Sequence, residues 1–181
     1  MVIISDYTLT LKGDSVFFVE SSVTSHICPG CQGVLAYRDS RIRIRKKEGG
    51  QKELLMIRRF RCKTCHSYHN ELPDCLTPYK HYETEVISGV LDGVVTPEDS
   101  DSEDYPSVQT MQRWLRWLQL NLANIEGYLR SSAYSIFRLG EEILFSNGSL
   151  LEAIRKKYQN WLENILRLIY NSGGFLVPIP W

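Results

Sequence analysis

Hydrophobic and polar residues change their period along the chain. Tyr7–Lys12 alternates residue by residue, Val16-Phe17-Phe18-Val19 is a short apolar run, and Gly13-Asp14 between them signals a turn, so a hairpin is expected. Two further strand-like runs, Val34–Lys46 and Glu53–Arg61, flank Glu48-Gly49-Gly50-Gln51, where glycine supplies the positive φ of a hairpin turn. Within the first, Arg41-Ile42-Arg43-Ile44-Arg45 alternates strictly, which puts the arginines on one face and the isoleucines on the other. Residues 71–80 carry two prolines and read as an extended connector.

Beyond that connector the period lengthens. Val86, Ile87, Val90 and Leu91 predict a helix from about Tyr82 to Leu91, stopped by Gly93. Pro97–Tyr105 reads as a loop or a very short helix. Ser107 is a candidate N-cap for a strong helix bearing Val108, Met111, Trp114, Leu115, Leu118 and Leu122. More helix is expected over Ser131–Phe145 and Leu150–Tyr170, separated by Asn147-Gly148. The last shows Leu151, Ile154, Tyr158, Trp161, Ile165 and Leu168 on one stripe, and an apolar tail, Gly173–Trp181, closes the chain.

Candidate chemistry lies in four cysteines set as two C-x-x-C pairs, Cys28-Pro-Gly-Cys31 and Cys62-Lys-Thr-Cys65, with thirty residues between them. Two such turns offer four thiolates to one ion, and soft sulfur ligands in a tetrahedron select zinc. A complete four-thiolate set is structural, because it leaves no open position for a substrate. His26, His66 and His69 flank the pairs and are alternatives to a cysteine ligand. Cys62-Lys-Thr-Cys65-His66 also fits the c-type haem pattern, which would leave Cys28 and Cys31 unexplained. Cys75 reads as a small buried hydrophobe. The expected fold class is α+β: an N-terminal β-rich zinc ribbon followed by an all-helical half with a helix-turn-helix-like segment. The expected divisions are a β extension (1–25), the ribbon (26–80), the helix-turn-helix-like segment (81–128) and a C-terminal helical region (129–181). One structural zinc ion would supply much of the ribbon's stability.

Charge sharpens this reading. The chain of 181 residues has 21 basic and 21 acidic side chains, yet His26–Lys63 holds eleven Lys or Arg against three acids. Thr96–Tyr105 holds five acids and no base, so the neutral total hides a basic module. Arg41, Arg43, Arg45, Arg59 and Arg61, with Lys46 and Lys47 at the tip, are candidate phosphate contacts. In a helix-turn-helix reading, Ser107, Gln109, Thr110, Gln112 and Arg113 face a DNA groove. No Gly-rich phosphate loop or nucleophile constellation appears, and the acidic run is a poor two-metal site. A non-enzymatic, zinc-stabilised DNA-binding protein is therefore expected. The alternative is a zinc-scaffolded interaction module, including a homodimer through the C-terminal stripe, and a third reading is a degenerate transposase or nuclease remnant. No signal peptide, membrane span or small-molecule site is read, which points to the cytoplasm, near the nucleoid if DNA is bound.

Ile27-Cys-Pro-Gly-Cys31, Ile57-Arg-Arg-Phe-Arg-Cys-Lys-Thr-Cys65, His69-Asn-Glu-Leu-Pro-Asp74 and Pro78-Tyr-Lys-His-Tyr82 together resemble an uncharacterised bacterial family, as does Ser107-x-x-Thr110-x-x-Arg113-Trp114. Its members join a transposase-like zinc ribbon to a helix-turn-helix and are often found with insertion sequences. The resemblance covers roughly residues 26–120 and implies a DNA-binding accessory or regulator of a mobile element. No acidic-triad domain follows.

Overall fold

The computed structural model describes residues 1–13, 15–99, 106–136 and 148–178. Seven strands form one curled sheet: β1 (Val2–Ile4), β2 (Tyr7–Lys12), β3 (Val16–Ser21), β4 (His26–Ile27), β5 (Val34–Lys46), β6 (Lys52–Cys62) and β7 (Tyr68–Pro73). Four helices follow among the described residues: α1 (Thr84–Leu91), α2 (Val108–Ile136), α3 (Leu150–Lys157) and α4 (Trp161–Asn171).

β6 is the hub. One edge carries β5 antiparallel, from Leu35↔Cys62 to Lys46↔Lys52. The opposite edge is shared between β3, parallel to Leu54–Met56, and β7, antiparallel to Arg59–Arg61. β1 then adds to β7 in parallel, with Val2 opposite Glu71, and β2 closes a hairpin on β3. Residues on both sides of position 25 thus share one sheet. The expected connector is corrected at its start: Glu71–Pro73 is strand, because β1 pairs its backbone and extends the part of β7 that β6 already holds at Tyr68–Asn70. The β5–β6 tip is a single 3₁₀ turn, Glu48–Gly50, with Gly49 and Gly50 at φ 74° and 73°.

The register decides which face of β5 points inward. Arg41, Arg43 and Arg45 pair with Ile57, Leu55 and Glu53, whereas Ile42 and Ile44 pair with Met56 and Leu54. Leu55 and Ile57 are fully buried, so the arginines share the core-side face, where burial falls from Arg45, buried, through Arg43 to Arg41, exposed, and Ile42 is 52% exposed on the outer side. The core continues through Ile3, Leu72 and Leu76 to Ile87 of α1, Met111 and Trp114 of α2, and Trp161, Ile165 and Ile169 of α4.

Two helix boundaries differ from expectation. α2 is one helix of 29 residues with no break after Leu122, while residues 137–147, where the end of the expected Ser131–Phe145 helix falls, lie outside the described residues. The expected Leu150–Tyr170 helix is two helices, because Tyr158 is extended (φ −128°, ψ 124°). Tertiary bonds fix this break: Asp92, just after α1, accepts from Trp161 Nε1 at 2.8 Å and from Arg155 Nε at 2.9 Å. The apolar stripe survives it, and Leu151, Ile154, Trp161, Ile165 and Leu168 are all buried within this chain. The tail docks on α2, where the Asn121 side chain accepts from Val177 N at 2.8 Å and donates to Val177 O at 3.0 Å. Between α1 and α2 lie residues 92–107, a longer connection than the 3–4-residue turn of a helix-turn-helix. No helix among the described residues is long and apolar enough to cross a membrane.

Candidate metal centre and nucleic-acid interface

The β4–β5 turn presents Cys28 and Cys31, and the β6–β7 turn presents Cys62 and Cys65. The antiparallel pairing of β5 with β6 brings both turns to one end of the sheet. The four Sγ atoms lie within 4.8 Å of one another, with Cys28···Cys65 at 3.7 Å and Cys31···Cys62 at 3.5 Å. A tetrahedral site with Zn–S near ~2.3 Å needs S···S edges of about 3.8 Å, so the donor set fits a zinc ion. The knuckle backbone supports thiolates: Thr64 N and Cys65 N approach Cys62 Sγ at 3.4 and 3.5 Å. Hydrogen bonds from Ser67 hold the Cys65 thiol down to about 6. Cys31 moves to about 12, because its hydrogen bonds with Cys62, Cys65 and Cys28 outweigh the backbone bond to Gly33 that favours its thiolate. A cation of charge +2 bound by the four sulfurs would favour the thiolate form of each. The Gly33 backbone leaves no room for a side chain, since a Cβ there would stand 2.4 Å from Thr64 Oγ1 and 3.0 Å from Cys62 Sγ.

The histidines stand beside the four-sulfur group. His69 Nε2 is 3.3 Å from Cys28 Sγ, and burial lowers His69 to about 4, so it is neutral and can donate one N–H to the sulfur. His26 Nε2 meets Glu71 Oε1 at 2.5 Å, and Arg58 grips the same carboxylate at 2.7 and 2.6 Å. His66, exposed, has φ 60° at the second knuckle.

The basic candidates divide into two groups. Arg45 is buried, ion-paired to Glu53 and 3.3 Å from Glu83, with its Nη1 3.5 Å from the half-buried Cys75. Arg59 pairs with Asp39, whose carboxyl it holds below the usual range, and Lys47 meets Glu53 at 2.7 Å. These three are committed within the fold. Arg41 and Arg61 are exposed on the ribbon, as are Gln109, Gln112 and Arg113 on α2. Ser107 accepts the first helical N–H groups through its carbonyl, and its hydroxyl meets Thr110 Oγ1 at 3.0 Å.

A cavity of about 230 Å³ gathers part of this second group. Lys46 comes to it from the end of β5, Thr110 and Arg113 from the first turns of α2, and Tyr79–Tyr82 from the loop between them, with Trp114 and Trp117 also lining it. The loop is fastened to the ribbon by Lys46 N→His81 O at 2.7 Å and Glu83 N→Lys46 O at 2.9 Å. Arg43 donates to Lys80 O at 3.0 Å, while its Nε has no hydrogen-bond partner. Lys46 Nζ is 4.9 Å from the Tyr82 ring centroid and Lys80 Nζ 4.1 Å from that of Trp117. Burial lowers the pKa of His81, and the nearby charges of Arg43 and Lys46 lower it further. The sequence reading assigned Tyr79, Lys80, His81 and Trp117 no role. Their legible signal is the interleaving of aromatic and basic residues in Tyr79-Lys80-His81-Tyr82.

Fold and site together define an α+β protein whose sheet is clamped by four cysteines that could bind a metal ion. Residues 28–114, from the first of those cysteines to Trp114 in the cavity wall, match the family described as Domain of unknown function (DUF6431). Comparison with curated proteins and with solved structures gives no match in either.

Proposed function

We propose that the chain is a non-enzymatic DNA-binding protein stabilised by one structural zinc ion at Cys28, Cys31, Cys62 and Cys65. The observation that carries this reading is the positive junction where Lys46, Lys80 and Arg113 converge from three segments of the chain around aromatic walls. Lysine and arginine neutralise phosphates, and aromatic faces accept bases. Arg41 and Arg61 extend the basic surface along the ribbon, whereas Arg45, Arg59 and Lys47 serve the fold. The reading does not require a helix-turn-helix. The motif resemblance favours an accessory or regulator of a mobile element, acting in a bacterial cytoplasm. The test is an anisotropy titration of a labelled duplex. Binding that weakens as salt rises and falls on Lys46→Ala with Arg113→Ala supports the reading, and no binding at low salt sinks it.

A second reading, a scaffold for another protein, rests on the outer sheet face, where Ile42 and Ile44 are exposed. A partner lost on Ile42→Glu, with no DNA affinity, would favour it.

A further inference from the structure

Tyr79 stands at the rim of the 230 Å³ cavity and is 56% exposed, yet its φ is +63°. A bulky side chain in left-handed backbone is an outlier that the surroundings must enforce, and such residues gather at functional sites. The other non-glycine residues with positive φ, among those described, are Gln32 and His66, one at each metal knuckle. The enforcement at Tyr79 is visible. Thr77 O accepts from Lys80 N at 3.1 Å, and Lys46 holds His81 and Glu83 on either side of Tyr82.

The walls are planar and cationic. Trp114 and Tyr82 meet edge to face at 5.1 Å, and both tryptophans are almost fully buried, so they form a fixed floor. Lys80 lies over Trp117 with no carboxylate in ion-pair distance among the described residues, and burial alone lowers it to about 8. A partly buried ammonium with no carboxylate beside it among the described residues gains from an anion that arrives with a ligand. The cavity is smaller than the ~300–1,000 Å³ of sites for drug-sized molecules. That size suits one flat ring and its adjoining phosphate, and is too small for a dinucleotide.

We infer that this cavity receives a single unpaired nucleobase of a bound DNA, stacked against the exposed Tyr79 above the buried tryptophans, with Lys80 beside its phosphate. The inference rests on the DNA-binding reading above and names the feature of DNA that the site selects: a strand end or a locally unpaired position.

The test uses the full zinc-loaded chain and three probes: a blunt duplex, the same duplex with a short single-stranded overhang, and a deoxynucleoside monophosphate. Anisotropy, or competition in the case of the monophosphate, reports affinity, and tryptophan emission reports occupancy of the cavity. The overhang duplex is expected to bind about tenfold tighter than the blunt one and to quench the emission. Tyr79→Gly, which suits the left-handed backbone and so preserves the fold, should bring that ratio close to one. Lys80→Gln should lower affinity for the overhang duplex. Equal affinity of the wild type for blunt and overhang duplexes overturns the inference and leaves the DNA reading standing. Binding to neither overturns both. A deoxynucleoside monophosphate that binds as tightly as the overhang duplex overturns the assignment to DNA.

Discussion

Arg45 reaches from β5 to Glu83 at the start of α1, bringing Nη1 to 3.3 Å from the carboxylate while the same guanidinium pairs with Glu53. The contact locks the ribbon hairpin to the helical half. It also explains why alternation along β5 does not translate into a free row of arginines. Arg45→Ala should cost about 2–4 kcal/mol, because two carboxylates lose their partner in a partly buried setting. Arg41→Ala, on the exposed part of the same strand, should stay within about 0.5 kcal/mol. Urea denaturation of both variants measures the contrast.

The four-sulfur geometry predicts one zinc per chain, to be read by elemental analysis. Stripping the metal with a strong chelator, or Cys62→Ser, should unfold the β4–β7 end of the sheet, since binding energy at such sites is folding energy. Circular dichroism before and after zinc is restored checks reversibility. A chain that keeps its melting temperature without metal contradicts a structural role.

Gly33→Ala tests the packing of one knuckle against the other. The added methyl group would overlap Thr64 Oγ1, so the turns must separate. A loss of about 1–3 kcal/mol and weaker zinc retention are expected. Thr64→Ser in the same background removes only a methyl group and should leave the clash with Oγ1 in place, whereas Thr64→Gly should relieve it.

Acid should destabilise the sheet through Glu71. Burial alone would raise this carboxyl, but hydrogen bonds from His26 and Arg58 outweigh it and leave the folded value below the ordinary one. A carboxyl lowered by folding contributes stability above its unfolded pKa and loses it as pH falls through the folded pKa. Glu71→Gln should therefore cost about 1–3 kcal/mol at neutral pH and flatten the fall in stability toward acid. Thermal melts across that range measure both effects.

The four-cysteine cluster, the β5–β6 hairpin and the α+β order were legible in the sequence, because each rests on local spacing. It could not show which face of Arg41–Arg45 turns inward. Strict alternation defines two faces, and only the pairing of Arg43 with buried Leu55 chooses between them. The strand at Glu71–Pro73 was hidden for a related reason: its partner, Val2–Ile4, comes from a distant part of the chain. The helix break at Tyr158 follows from bonds to Asp92, far away in sequence, and no propensity signals it. The cavity beside Tyr79 leaves no local signal, because its walls come from β5, a loop and α2.

In the proposed function, Lys46, Lys80 and Arg113 engage DNA phosphates at one junction. Its most direct test is the salt dependence of duplex affinity for the wild type and for a variant carrying Lys46→Ala, Lys80→Ala and Arg113→Ala. The slope of log affinity against log salt should become shallower by about one for each phosphate contact removed. A wild type that shows no affinity at low salt, or a variant whose slope and affinity match the wild type, would contradict the account.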